Sequence, residues 1–161
     1  MESDLMQRTA AQNPPPGFHP IALVDGFLGR NGPVFVKRED DGSVVFGSRV
    51  MPHMTNPMGA AHGGWVATLV DVTLPLTARF TVPELDHHFL LTVNLSIDYL
   101  AGAKLGDWVE GRARVLRRTT RMTFVDGLLS VEGETIVRAS GIFRTGPGGP
   151  SIPFWSDLPA P

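Results

Sequence analysis

The chain has 161 residues, of which 42% are hydrophobic and 19% charged, and a formal net charge of -2; this suits one globular domain with its own core and offers no overall basic character for nucleic acid. The absence of cysteine excludes disulfides, thiol nucleophiles and cysteine-ligated metals, and fits a cytoplasmic protein. The first residues lack the apolar core of a secretion signal, and Asp71 and Arg79 interrupt the best apolar run, so no bilayer span is expected.

Residues 1–17 are polar and end in Asn13-Pro14-Pro15-Pro16-Gly17, which reads as a flexible N-terminal arm. Residues 19–28, with Ile21, Leu23, Val24, Phe27 and Leu28 apolar, predict a short helix. Residues 32–38 predict a strand. Asp40-Asp41-Gly42 predicts a hairpin turn, because glycine takes the positive φ such a turn needs, and residues 43–51 return as the partner strand. A loop spans 52–61. Residues 63–80 form the strongest helix candidate, with apolar groups all round it, so it should be enclosed on most sides. Pro75 cannot donate to the carbonyl of Asp71, which predicts a kink or an early end. Pro83 and Glu84-Leu85-Asp86-His87-His88 then make a connecting loop.

From Phe89 onward the period changes. Residues 91–100 alternate, Val93, Leu95, Ile97 and Tyr99 facing one way and Thr92, Asn94, Ser96 and Asp98 the other. Residues 106–118, 122–131 and 135–144 predict three more strands, with Gly133 in the last turn. Residues 146–161 form a tail rich in glycine and proline, with Phe154 and Trp155 as anchors. No repeat and no second domain is visible. The expected architecture is α+β, with one helix covering a mostly antiparallel sheet. So apolar a helix implies burial against another subunit.

The chemistry concentrates in Asn56-Pro57-Met58-Gly59-Ala60-Ala61-His62-Gly63-Gly64 and in Asp71. Glycine lets backbone approach a ligand, and a helix start offers free N–H groups. A carboxylate on an otherwise buried helix is costly unless it is paired, hydrogen-bonded or useful. Together these suggest a site that polarises a carbonyl and activates a water. His87-His88 with Asp86 lacks a matching ligand set, so no metal is expected and a solvent loop is the simpler reading. Ser96 lacks a nucleophile-elbow context.

The pattern resembles the hotdog-fold acyl-CoA thioesterases of the phenylacetate-pathway type, over about residues 17–144. The matching residues are Asn56, Gly59 to Gly64 and Thr68-Leu69-Val70-Asp71. They continue in Thr92 to Leu100, Ala103 to Asp107, the region from Arg117-Arg118 to Phe124, and Ala139 to Phe143. The resemblance implies a curved antiparallel sheet wrapped around one long central helix, with a short N-terminal helix and a hotdog domain over 18–145. It also implies a homodimer with active sites at the subunit interface, and relatives often form tetramers as dimers of dimers. The acid comes from one subunit and the glycine N–H from the other.

On this reading the N–H of Gly63 or Gly64 stabilises charge on a thioester oxygen, and Asn56 adds a side-chain donor; the plainer alternative is glycines that merely permit a tight approach to the helix. Asp71 is the general base or a direct nucleophile, its pKa raised by burial, against a buried aspartate bonded to a threonine or a backbone N–H. Thr92 stands where relatives hold the attacking water with a serine or threonine, or is an ordinary strand residue. His62 bonds the loop backbone rather than moving protons. Gly64, Trp65 and Met58 border the acyl group, or belong to plain core. Arg117, Arg118 and Arg121 meet the CoA phosphates, or form a solvated turn. CoA enters as part of the substrate, and no other cofactor is implied. One branch of related enzymes carries glutamate on the helix; Asp71 places this chain in the other, and Pro75 is unusual in it. The rival readings are a non-catalytic acyl-CoA-binding protein and a hydratase or dehydratase of the same fold.

Overall fold

The computed structural model describes residues 2–21 and 26–148. After a helix α1 (Glu2–Ala11) come β1 (His19–Pro20), α2 (Phe27–Asn31), β2 (Phe35–Arg38) and β3 (Val44–Arg49). The long helix α3 (Gly63–Thr81) follows, then β4 (His88–Tyr99), β5 (Trp108–Arg118), β6 (Met122–Val131) and β7 (Glu134–Gly148). The strands make one curved sheet in the order β1-β2-β3-β5-β6-β7-β4, and every neighbouring pair is antiparallel. No helix among the described residues is long and apolar enough to cross a membrane.

Local chemistry accounts for the hairpins. Gly42 has φ +84, its N–H donates to the Glu39 carbonyl at 2.9 Å, and the Asp41 carboxylate accepts from the Ser43 N–H at 2.9 Å. This closes β2 onto β3 where the sequence predicts it. Gly133, at φ +86, does the same between β6 and β7.

The sheet accepts α3 at very short range. A Cβ on Gly111 of β5 would lie 2.5 Å from the Thr73 hydroxyl, and one on Gly141 of β7 would lie 2.6 Å from the Phe143 ring and 3.2 Å from Leu74. These two glycines let Thr73 and Leu74 settle onto the strands. Leu69, Val70, Leu74 and Ala78 of α3 thereby join Phe46, Val109, Val125, Leu129 and Phe143 in one buried core. The helix runs through Pro75 to Thr81 rather than ending early, and Pro75 is itself buried. Packing along the apolar face outweighs the lost backbone bond.

α3 is not enclosed all round. Gly63, Gly64 and Asp71 are exposed and Ala67 and Thr68 half-buried, which leaves an open stripe at helical spacing. The opposite face of the sheet is mixed across β4 to β7: Arg114 pairs with Asp126 at 2.9 Å and Arg138 with Asp98 at 2.7 Å, beside the exposed Leu116 and Leu128.

Three regions depart from the sequence reading. The stretch read as an arm contains α1, and its end is tied down. Gln12 is buried and accepts from the Arg49 N–H at 2.7 Å. The Arg49 guanidinium donates to the carbonyls of Gln12 (2.6 Å), Asn13 (2.9 Å) and Gly106 (2.9 Å) and lies 5.4 Å from the Trp108 ring. Of the helix predicted over 19–28, His19 and Pro20 instead pair with Val36 and Phe35 as β1, and the helix described in this region is Phe27–Asn31. Positions 22–25 and the anchors Phe154 and Trp155 lie outside the described residues.

The third departure is in β4. Its ladder with β7 passes from Thr92↔Phe143 directly to Asn94↔Ile142, so Val93 is an extra, unpaired residue. Val93 is exposed while Leu95 and Ile97 pack on the core. The strand changes phase at this bulge, and Thr92 faces α3 rather than the side the plain alternation assigns it.

Candidate active site

Two stations lie on α3. The first is its start. The preceding loop is ordered by Asn56, whose side-chain oxygen accepts from the N–H groups of Met58 (2.9 Å) and Ala60 (3.2 Å). With that oxygen engaged, the amide NH2 remains as the donating end of Asn56. His62 is the N-cap, with φ -66 and ψ 133, and its Nδ1 accepts from the Gly64 N–H at 3.0 Å. Acceptance requires a neutral ring with a lone pair on Nδ1. The ring thus bonds backbone, in the first turn of the helix. Of the two glycine amides, Gly64 is engaged by the cap, whereas Gly63 opens the helix, where an N–H has no intrahelical partner. The Tyr99 hydroxyl donates to the Gly63 carbonyl at 3.0 Å. Asn56, Gly63, Val66, Tyr99 and Ala103 line one cleft of about 330 Å³.

The second station is Asp71. Its Oδ1 accepts the Thr92 hydroxyl proton at 2.7 Å, so the two residues read as acid and water-holder do meet, through the bulge that turns Thr92 inward. Asp71 is exposed within the chain, on the open stripe of α3, which corrects the burial expected of it. Eight residues separate Gly63 from Asp71, which is about 12 Å along the axis and about 80° around it.

The remaining predicted residues are more dispersed. Trp65 is buried and its indole N–H donates to the Asn31 carbonyl at 3.1 Å. It borders a second cavity of about 320 Å³ with Phe27, His53, Thr55, His62 and Thr68. Met58 stands out from its loop, 89% exposed. Arg117 and Arg118 end β5 and Arg121 lies in the turn to β6, all exposed, with Arg118 3.6 Å from Glu84. Across the sheet Arg118 pairs with Thr123, Thr123 with Phe143 and Phe143 with Thr92. The basic turn therefore lies at the Asp71 end of the site. Among the described residues no three histidine, aspartate or glutamate side chains gather as a metal site; His87 sits 3.2 Å from Asp86, and His88 bonds the Gly146 carbonyl.

Tyr99 belongs to the first station, although alternation alone marked it as one of four residues on a strand face. The available signal was its singularity: it is the one tyrosine of the chain, and a phenol usually finds a partner for its hydroxyl.

A family model described as the thioesterase superfamily matches residues 58–137. A Pseudomonas aeruginosa protein that carries the name of an esterase is 32% identical over 132 residues, which cover 82% of this chain and 97% of that one. Among solved structures, zebrafish thioesterase superfamily member 2 has a TM-score of 0.67 at 25% identity, covering 76% of this chain and 89% of that one. A thioesterase-like protein of Ralstonia eutropha, described as related to phenylacetic acid degradation, has a TM-score of 0.65 at 26% identity, covering 76% and 92%.

Proposed function

Since the chain belongs to the thioesterase superfamily and has its hotdog fold, we propose that it hydrolyses an acyl-CoA thioester to a free acid and CoA. The Gly63 N–H and the Asn56 amide polarise the thioester carbonyl, and their charge stabilisation grows as the oxygen becomes an oxyanion. Asp71, oriented by Thr92, takes a proton from water as the water oxygen attacks the carbonyl carbon. The C–S bond then breaks, and the proton held by Asp71 passes to the leaving thiolate. Direct attack by Asp71, through an anhydride that water opens, uses the same geometry.

The observation that carries this reading is the spacing of the stations. A water held by Asp71 must lie about 3 Å from the carbonyl carbon, and the Gly63 N–H about 3 Å from its oxygen, so the base oxygen and the donor nitrogen stand no more than about 10 Å apart. Backbone to backbone, the two stations of one helix stand about 12 Å apart along its axis, so within one chain they are poorly placed to grip one carbonyl together. A second copy that supplies the other station resolves this. β4 is the edge of the sheet, and Phe89, Leu91 and Val93 are exposed along it. Pairing along that edge in a homodimer would build two composite sites, with Asp71 from one subunit facing Gly63 of the other, and two dimers could associate further. Arg117, Arg118 and Arg121 would meet CoA phosphates. Met58, Gly64 and Trp65 would border the acyl group, with His62 holding the helix start. The reaction calls for no metal or redox cofactor, and a cytoplasmic location fits the chemistry.

The test is release of free thiol from aromatic, short-chain and medium-chain acyl-CoA thioesters, with Asp71→Asn beside the wild type. Release that collapses in Asp71→Asn supports the proposal. A folded wild type that binds acyl-CoA and releases nothing makes it a binding protein instead.

A further inference from the structure

Two glycines opening a helix have high backbone freedom and no side chains to restrain it. A donor that stabilises developing charge is effective only if it is already aimed when the charge appears. Tyr99 lies where these two demands collide. It ends β4, and the strand is anchored just beyond it, where the N–H groups of Leu100 and Ala101 both donate to the Ile136 carbonyl, at 2.9 and 3.1 Å. From this fixed position its hydroxyl donates to the Gly63 carbonyl at 3.0 Å. Its ring lies along Gly63, 3.7 Å from where a Cβ would stand. The far end of the same peptide is also held, because the Gly64 N–H donates to His62 at 3.0 Å. The Gly63–Gly64 peptide is pinned at its oxygen by the strand and at its N–H by the cap, and hydrogen bonds in such a chain strengthen one another.

Resting on the thioester reading, we propose that Tyr99 is a positioning residue. By fixing the Gly63–Gly64 peptide against β4, it aims the preceding amide, the Gly63 N–H, into the cleft it shares with Asn56. Satisfying the phenol does not explain the bond, since Tyr99 is 54% exposed and water could serve its hydroxyl equally well. Nor does space-filling, for which the ring alone would suffice.

The experiment compares Tyr99→Phe with the wild type in the full chain. Removing one oxygen from a half-exposed side chain leaves the ring in place and the fold intact. Three quantities are read: kcat and KM on the acyl-CoA panel, affinity for CoA alone, and hydrogen exchange of the assigned Gly63 and Gly64 amides by NMR. The expected result is a kcat lower by about tenfold, with KM and CoA affinity within about twofold, exchange of the hydrogen-bonded Gly64 amide faster by about tenfold, and a shifted Gly63 amide resonance. A merely structural tyrosine would lower the melting temperature and leave kcat per folded molecule unchanged. Wild-type turnover that Tyr99→Phe matches overturns this assignment alone. A fall in kcat with both amides unmoved also overturns it, since Tyr99 would then act by another route. A wild type without turnover on any thioester overturns the thioester reading, and this assignment with it.

Discussion

At the start of α3 the backbone is held from three directions, by the Asn56 loop, the His62 cap and the Tyr99 hydroxyl, whereas two turns later Asp71 is met by the Thr92 hydroxyl and otherwise faces solvent. The contrast follows from what each station is proposed to do. A donor for an oxyanion gains from rigidity, because reorganising it during the reaction costs barrier height. A base must admit water, and Asp71 is open to solvent in the single chain; in the proposed dimer a second subunit and the substrate would close over it. One helix carries both kinds of group, and the proposed composite site would take one from each of two chains.

Substitutions at the two stations should separate them. Asp71→Asn keeps the shape and the Thr92 bond but removes the base, and kcat should fall by about 10³-fold, within the usual range for losing such a group. Because Asp71 is exposed, its melting temperature should stay within about 2 °C of wild type. A Gly63→Pro variant acts at the other station. Position 63 is the first helical residue and His62 already has extended dihedrals, so proline fits while deleting the N–H. Its kcat should fall by about 10²-fold. If the sites are composite, an equal mixture of the two inactive variants, unfolded and refolded together, should recover about a quarter of wild-type activity, since half the dimers are mixed and each has one intact site. No recovery would mean that each chain builds its own site.

Smaller effects test the frame on which the stations stand. Gly111→Ala places a methyl 2.5 Å from the Thr73 hydroxyl and should destabilise the fold by about 1–3 kcal/mol in urea unfolding, because α3 must lift from the sheet. The smallest effect lies far from both stations. Partial burial pushes the Glu39 carboxyl up, but hydrogen bonds from Lys37 and Arg112 outweigh this and hold it below the usual carboxylate range. A depressed folded-state pKa contributes stability that is full above the unfolded value and lost as pH falls through the folded one. The wild type should therefore lose slightly more stability than Glu39→Gln on acidification below about pH 4.5, as melting temperatures across pH would show.

Much of this frame was legible because it depends on local rules. Asp40-Asp41-Gly42 specifies a turn, residues 63–80 specify a helix, and the alternation after Phe89 specifies strands. The misreadings arose where tertiary contacts decide. Nothing in the polar stretch before Asn13 reveals that Arg49, 36 residues further on, would clasp the end of α1. Pro75 weakens a helix locally, yet the core holds it in place. An apolar run looks buried on all sides until the sheet shows which stripe it leaves open, and that stripe contains Asp71. The motif residues were visible one by one, and their division into two separated stations was not.

The unpaired Val93 has a consequence for how this strand can be copied or aligned. Thr92 and Tyr99 are seven positions apart, an odd number, so a regular strand would point them to opposite sides. With one residue squeezed out of the ladder, both reach α3, one at each station. A graft that moved this strand into another scaffold without the surplus residue could keep either the Thr92 contact or the Tyr99 contact, and would lose the other.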